Sequence, residues 1–151
     1  MAGLDEKYMS LALEQARMAF QRGEIPIGAV LVREGAVIAA DHNRREELCD
    51  ATAHAEVLVL RRGGELLGGW RLPGCTLYVT VEPCPMCAGA LVQARVERLV
   101  YGAADPKGGA AGTLYDIVRD PRLNHRLEVT AGVLASECAL LMQHFFQARR
   151  S

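Results

Sequence analysis

The segment TLYVTVEPCPMCAGA (residues 76–90) decides the fold, because it leads from an apolar strand directly into a helix. Its first part, TLYVTV, is rich in β-branched and aromatic residues and predicts a strand. Pro85 fits the first position of a helix, where its missing N–H costs nothing. Cys84 then falls at the N-cap and Cys87 three residues later on the same helix face. Both sulfurs can therefore point at one ion, and the helix N-terminus favours their thiolate forms.

The flanking segments extend this unit into one layered α/β domain over residues 1–151 with a mostly buried sheet. The patterns predict helices over residues 4–22, 52–62, 85–95 and 136–149, and strands over residues 27–32, 37–43, 76–81, 98–103 and 126–133. Thr52 is expected to cap the second helix and Gly63-Gly64 to end it. A short turn through Glu34-Gly35 joins the first two strands as a hairpin, so the sheet is mixed.

Composition sets broad limits on the class of protein. Half of the 151 residues are hydrophobic, 23% are charged and the net charge is −1, which is a globular composition and neither favours nor excludes a nucleic-acid partner. Since no apolar run approaches the roughly 18 residues of a membrane span, we expect no membrane association. The first ten residues lack the pattern of a secretion signal, so we expect a cytoplasmic protein. An odd number of cysteines, five, argues against a disulfide framework.

A Cys-x-x-Cys pair alone is ambiguous, because redox pairs and structural zinc sites use the same spacing. His54, in the first turn of the preceding helix, supplies a third ligand for Cys84 and Cys87. Three protein ligands plus water is the catalytic zinc pattern, whereas four ligands is the structural one. Cys75 is a poor fourth ligand, since the intervening strand separates it from the site by roughly 20 Å. We therefore expect one catalytic Zn²⁺ per chain, with a structural zinc site or two metal-free buried cysteines as alternatives.

Two further assignments depend on this zinc site. Glu56 by itself would be read as an exposed first-turn carboxylate, but beside an open zinc position it can accept a proton from zinc-bound water and deliver it to a substrate. Because a binding module has no use for such a carboxylate, Glu56 favours an enzyme over a zinc-stabilised RNA-binding module. The remaining cysteines, Cys49, Cys75 and Cys138, are interpreted as small buried hydrophobes.

The combination of His54-Ala55-Glu56 with Pro83-Cys84-Pro85-Met86-Cys87 resembles the zinc-dependent nucleoside and nucleobase deaminases. The resemblance extends over about residues 9–150, and over this range the sequence is similar to the bacterial tRNA-specific adenosine deaminases. The segments that carry it are EIPIGAVLV, HNR, TAHAE, TLYVTVEPCPMCAGA, GAADPKGGAAGTLYDI, NHR and FFQARR. The glycine-rich segment and the NHR that follows it point to the tRNA-acting branch.

This resemblance implies a cytidine-deaminase-like fold, a three-layer α/β/α sandwich around a five-stranded mixed sheet. It implies hydrolytic deamination of adenosine to inosine at the wobble position of a tRNA anticodon stem-loop. It also implies a homodimer in which both chains contribute to each active site. The rival enzyme is a deaminase of a free base or nucleoside such as guanine, cytosine or cytidine.

The resemblance further assigns substrate-binding roles to eight residues. Asn43 would contact the flipped nucleotide, and an apolar wall of the base pocket would consist of Ile25, Pro26 and Ile27. Contacts with the RNA would come from a loop carrying Asp105 and Lys107 and from a final helix carrying Phe146 and Arg149.

Overall fold

A five-stranded mixed sheet forms the centre of the computed structural model, which describes residues 2–150. Its strands are β1 (Gly28–Arg33), β2 (Ala36–His42), β3 (Cys75–Val81), β4 (Arg98–Ala103) and β5 (Glu128–Ala131). They are arranged in the order β2-β1-β3-β4-β5, with β1 antiparallel to both neighbours and β3, β4 and β5 parallel. The predicted hairpin is present, and Glu34 and Gly35 both have positive φ, as a tight two-residue turn requires.

Helices cover both faces of this sheet. They are α1 (Ala2–Gln21), α2 (Arg45–Leu48), α3 (Ala55–Leu67), α4 (Pro85–Gln93) and α5 (Ala135–Arg150). Successive β1 side chains alternate between the two faces: Ala29 and Leu31 join the core beneath α3 and α4, whereas Val30 and Val32 join the core beneath α1 and α5. The structure is therefore the expected three-layer sandwich.

One edge of the sheet collects the ends of several strands. Because β2 and β3 are both antiparallel to β1, the carboxyl ends of β2, β3 and β4 lie at the same edge as the start of β1. In open α/β sheets, the crevice beyond the carboxyl ends of the strands is the usual place for a ligand. The segments that follow these strands begin at Asn43, Glu82 and Ala104.

The second predicted helix has different limits in the structure. Thr52 does not cap it but bonds to Asp50, and α3 begins at Ala55 with His54 as its N-cap. Gly63 does not end the helix either. A Cβ at this position would lie 2.6 Å from Leu31 Cδ2, so the glycine permits close packing of α3 on β1. The helix ends at Gly68, which has φ of 74°.

Three smaller expectations also differ from the structure. β5 is shorter than predicted, and the four-residue helix α2 was not predicted. Cys49, the left-handed residue that ends α2, is exposed rather than buried; Cys75 and Cys138 are buried as expected. Among residues 2–150, none of the helices combines the length and apolarity that a bilayer crossing requires.

A partly buried ion pair between Asp5 and Arg98 ties α1 to the sheet. Asp5 accepts hydrogen bonds from Tyr78 Oη at 2.8 Å and from both terminal nitrogens of Arg98 at 2.9 and 2.8 Å, and Arg98 also donates to Thr130 Oγ1. These contacts connect α1 with β3, β4 and β5. The hydrogen bonds from Arg98 hold the pKa of the Asp5 carboxyl below its usual range.

Replacing Asp5 with Asn should lower the free energy of unfolding at pH 7 by about 1–3 kcal/mol, since Arg98 loses its charged acceptor. Because the pKa of Asp5 is lowered in the folded state, its contribution is present above about pH 4 and is lost as the pH falls through the folded pKa. Urea denaturation should therefore show the difference between wild type and variant narrowing below pH 4. Asp116→Asn, which breaks an exposed pair with Arg119, should leave stability unchanged. Equal losses in the two variants would contradict this role for Asp5.

Candidate metal and active site

Three predicted ligands lie together at the edge of the sheet. His54 Nδ1 is 3.7 Å from Cys84 Sγ and 3.5 Å from Cys87 Sγ, and the ligand atoms of all three residues lie within 4.8 Å of one another. Tetrahedral zinc with Zn–S and Zn–N bonds of about 2.3 and 2.0 Å requires an N···S separation of about 3.5 Å. The donor set and its spacing therefore fit zinc.

Two helix starts place these ligands. His54 and Cys84 are the extended N-cap residues of α3 and α4, with ψ of 150° and 172°. Cys87 lies in the first turn of α4 and is buried, as the Pro85 position predicted. Cys75 lies at the opposite end of β3 and is not part of this group, the one three-ligand cluster found in residues 2–150.

The two thiols are electrostatically different. A hydrogen bond from the Cys87 thiol lowers the pKa of Cys84 to about 4, and the same interaction raises the pKa of Cys87. One thiolate at this position is therefore stabilised by the protein alone. A bound metal ion takes both cysteines as thiolates, so binding releases the proton that Cys87 holds.

Glu56, the second residue of α3, is buried beside this cluster. Glu56 is only 3% exposed, and its Oε1 has no hydrogen-bond partner within the described part of the chain. Burial raises the pKa of this carboxyl to about 7. A buried acceptor without a partner costs about 1–3 kcal/mol. Such an atom is expected where a ligand completes the site, and the interpretation of Glu56 as a solvated surface residue does not hold.

Asn43 is held rigidly at the entrance to α3. It is 2% exposed, and its Oδ1 accepts a hydrogen bond of 2.8 Å from the Ala55 N–H, which caps the helix in place of Thr52. His42 lies 2.9 Å from the Asn43 carbonyl through Nδ1 and 3.3 Å from Arg22 Nη1 through Nε2. A guanidinium can only donate, so Nε2 accepts and Nδ1 donates. The sequence analysis identified Asn43 but not its support by His42; a histidine at the end of a strand was the available signal.

The sequence analysis also did not identify Glu82 as a residue of the site. It is 3% exposed, directly follows β3, and its carboxylate is surrounded by donors from the segment of residues 105–113. The signal in the sequence was a lone carboxylate between an uncharged strand and the metal-binding turn.

Most of the residues assigned to substrate binding line one groove, between residues 103–107 and α5. Those in the groove are Ile25, Ile27, Asp105, Lys107 and Phe146. Pro26 is buried between two of them. Arg149 lies to one side: its guanidinium donates to the Gly23 carbonyl and stacks 4.6 Å from the Phe145 ring. The structure therefore brings five of the assigned residues to one surface and gives Arg149 protein partners.

The fold and the site define a nucleobase-type deaminase. The family model for MafB19-like deaminases matches residues 4–150, so the chain belongs to that family. Within it, the chain belongs to the tRNA-specific adenosine deaminases.

This assignment depends on relatives that match nearly the whole chain. The tRNA-specific adenosine deaminase of Bacillus subtilis is 53% identical over 97% of this chain and 91% of its own length. That of Agrobacterium fabrum is 51% identical over 95% of this chain and 94% of its own length. A solved structure from studies of A-to-I editing by tRNA:A34 deaminases is 52% identical and superimposes with a TM-score of 0.87, covering 89% of this chain and 98% of that one.

A second solved structure represents the rival class. The guanine deaminase from Nitrosomonas europaea is 28% identical, with a TM-score of 0.78 over 93% of this chain and 83% of that one. The fold is therefore shared by both classes, whereas sequence identity is nearly twice as high with the tRNA-specific proteins.

Cys87→Ser should lose the metal, because an alcohol oxygen replaces one of two thiolate ligands. Elemental analysis of protein purified without chelators should give about one zinc per chain for wild type and less than about a tenth of that for the variant. Its melting temperature should also fall, since the ion binds only the folded chain. Cys49→Ser, at an exposed position outside the cluster, is the matched control and should retain the ion. Full zinc content in Cys87→Ser would remove this residue from the ligand set.

Proposed function

We propose that this protein is a zinc-dependent hydrolase that converts adenosine to inosine at the wobble position of a tRNA anticodon. The observation that carries the proposal is the buried, unpartnered Oε1 of Glu56 beside three ligands spaced for zinc. A redox cysteine pair or a structural zinc site would not require a buried carboxylate that can accept a proton. The high identity with tRNA-specific adenosine deaminases supports the choice of substrate.

Glu56 is the proton carrier in this mechanism. His54, Cys84 and Cys87 would hold the zinc ion, which would supply Lewis-acid activation of the attacking water. The Glu56 carboxylate takes a proton from that water and delivers it to the ring nitrogen next to C6. It then carries the second proton to the amino group, which leaves as ammonia. The net reaction consumes one water and gives inosine.

The neighbouring residues hold the base in position. Because the Asn43 Oδ1 is occupied by the Ala55 N–H, the NH₂ group of the same amide is the part that can donate to the nucleotide. The cap fixes the amide orientation, so no ordering of this side chain is needed when substrate binds. The half-buried side chains of Ile25 and Ile27, with the buried Pro26 between them, provide the apolar wall for the base.

The groove beside α5 suits an RNA loop. A base inside a helix cannot reach a buried site, so the adenine must be flipped out, and anticodon loops permit this at low cost. Lys107 is exposed and can meet a phosphate, while Phe146 offers a stacking surface that is 41% exposed. Arg149 acts mainly through its bonds to Gly23 and Phe145, which fix the end of α5 at the groove.

Three broader features belong to the same proposal. Residues 1–151 form a single domain, supported by the packing of both terminal helices on one sheet face. The protein acts in the cytoplasm, where its tRNA substrate is.

The protein works as a homodimer through the open, mostly apolar groove between α3 and α4, in which Trp70 is 62% exposed. Sedimentation at micromolar protein concentration should give one dimeric species. A single monomeric species would contradict the homodimer.

Glu56→Gln should retain zinc and the fold but lose activity by roughly 10²–10⁴-fold, because an amide cannot carry the proton. The measurement is single-turnover inosine formation on an adenosine-bearing stem-loop, with metal content determined on the same samples. Glu6→Gln, on the exposed side of α1, is the control and should match wild type. Activity within a few-fold of wild type would remove Glu56 from the mechanism.

A hairpin substrate should be deaminated efficiently and free adenosine hardly at all, because nucleotides beside the target supply the energy that positions the base. Turnover of an anticodon stem-loop should be compared with that of adenosine, guanine, cytosine and cytidine at 50 and 200 mM salt. Affinity for the hairpin should weaken as salt rises. Efficient turnover of a free compound with none of the hairpin would favour the guanine-deaminase class instead.

A further inference from the structure

The buried carboxylate of Glu82 gathers the segment of residues 105–113, here called the glycine-rich loop. Its Oε1 accepts from the Asp105 N–H at 3.0 Å and from the Thr113 hydroxyl. Its Oε2 accepts from the N–H groups of Ala111 and Thr113 at 3.0 and 3.1 Å. Both oxygens are thus used twice, by donors from the start and the end of the same loop.

The loop fits closely around this carboxylate. A Cβ at Gly109 would overlap the Glu82 carboxyl group, far inside the distance of van der Waals contact, so only glycine allows the approach. The N–H of Ala110 also donates to the Pro83 carbonyl at 2.9 Å, and the Glu82 N–H donates to the Ala103 carbonyl at 2.8 Å. The loop is therefore fastened to the turn that leads into Cys84.

The same loop forms one wall of the groove assigned to RNA. Asp105 and Lys107 line it on one side and Phe146 on the other, whereas Glu82 is buried behind the loop. Glu82 therefore joins two parts of the site that have different tasks: the turn carrying a metal ligand and the loop facing the nucleic acid.

We infer that Glu82 is a positioning residue, whose carboxylate sets the glycine-rich loop at a fixed place relative to the metal-binding turn so that the loop can hold the RNA beside the flipped base. This inference rests on the proposed function. The chemistry requires a carboxylate, because all four contacts are donors and only an anion with two oxygens accepts from all of them. A glutamine keeps the shape but turns an NH₂ group toward at least one backbone N–H.

Glu82→Gln therefore separates shape from acceptor chemistry. Hydrogen exchange by mass spectrometry should be at least tenfold faster across residues 105–113 in the variant. Zinc content should stay at that of wild type. With a stem-loop substrate, KM should rise at least fivefold while kcat stays within threefold, because the loop contacts act in binding rather than at the reacting atoms. Glu14→Gln, an exposed carboxylate on α1, is the charge-matched control and should change neither measurement.

Gly109→Ala tests the same contact from the other partner. The added methyl group displaces the Glu82 carboxylate and should raise both loop exchange and KM, whereas Gly3→Ala, with open space around it, should not. In the double variant with Glu82→Gln, Gly109→Ala should raise loop exchange and KM by less than it does alone, since both changes disrupt one interaction. A fall in kcat with unchanged KM, loss of zinc, or unchanged loop exchange in Glu82→Gln would overturn the inference. Exchange does not depend on turnover, so this arm decides the role of Glu82 even if wild type fails to deaminate the hairpin.

Discussion

The meeting of two helix N-termini at one edge of the sheet is the constraint on which the site depends. α3 and α4 begin with His54 and Cys84 as their N-cap residues, and the side chains of these two residues approach to 3.7 Å between Nδ1 and Sγ. The partial positive charge of both termini favours anionic groups there, which suits two thiolates and a carboxylate. A divalent cation held by His54, Cys84 and Cys87 would offset the repulsion between the two thiolates. The sheet order matters for function because it brings the two helix starts together.

Around this centre, the surrounding polar residues act mainly as supports. Asn43 caps α3 and is itself held by His42, while Glu82 fastens the loop on the other side of the metal-binding turn. Each support is buried and each satisfies backbone donors or acceptors that a loop would otherwise leave unpaired. The site is therefore made of side chains whose positions are fixed before a substrate arrives, as precise positioning of a reacting base requires.

Much of this arrangement could be predicted from the sequence, because it follows local rules. Pro85 specified the start of α4, and the spacing of Cys84 and Cys87 specified a shared face. The parts that could not be predicted depend on contacts between distant segments. Thr52 has the residue type of a helix cap, but Asn43 caps α3 instead. Gly63 has the residue type of a helix end, but it is required because a side chain there would clash with Leu31. Likewise, nothing local to Glu82 reveals that its partners lie in a loop beyond the next helix and strand.

The position of β3 between the ligands has a consequence for how the chain folds. His54 precedes this strand and Cys84 follows it, and β3 is central, paired with β1 on one side and β4 on the other. Bringing His54 and Cys84 together therefore closes a loop of about 30 residues that contains α3 and β3, and the entropy of the chain opposes such a non-local contact. An ion bound by both residues would close this loop in the folded chain. Its binding free energy would then add to the stability of the sheet as well as to the site.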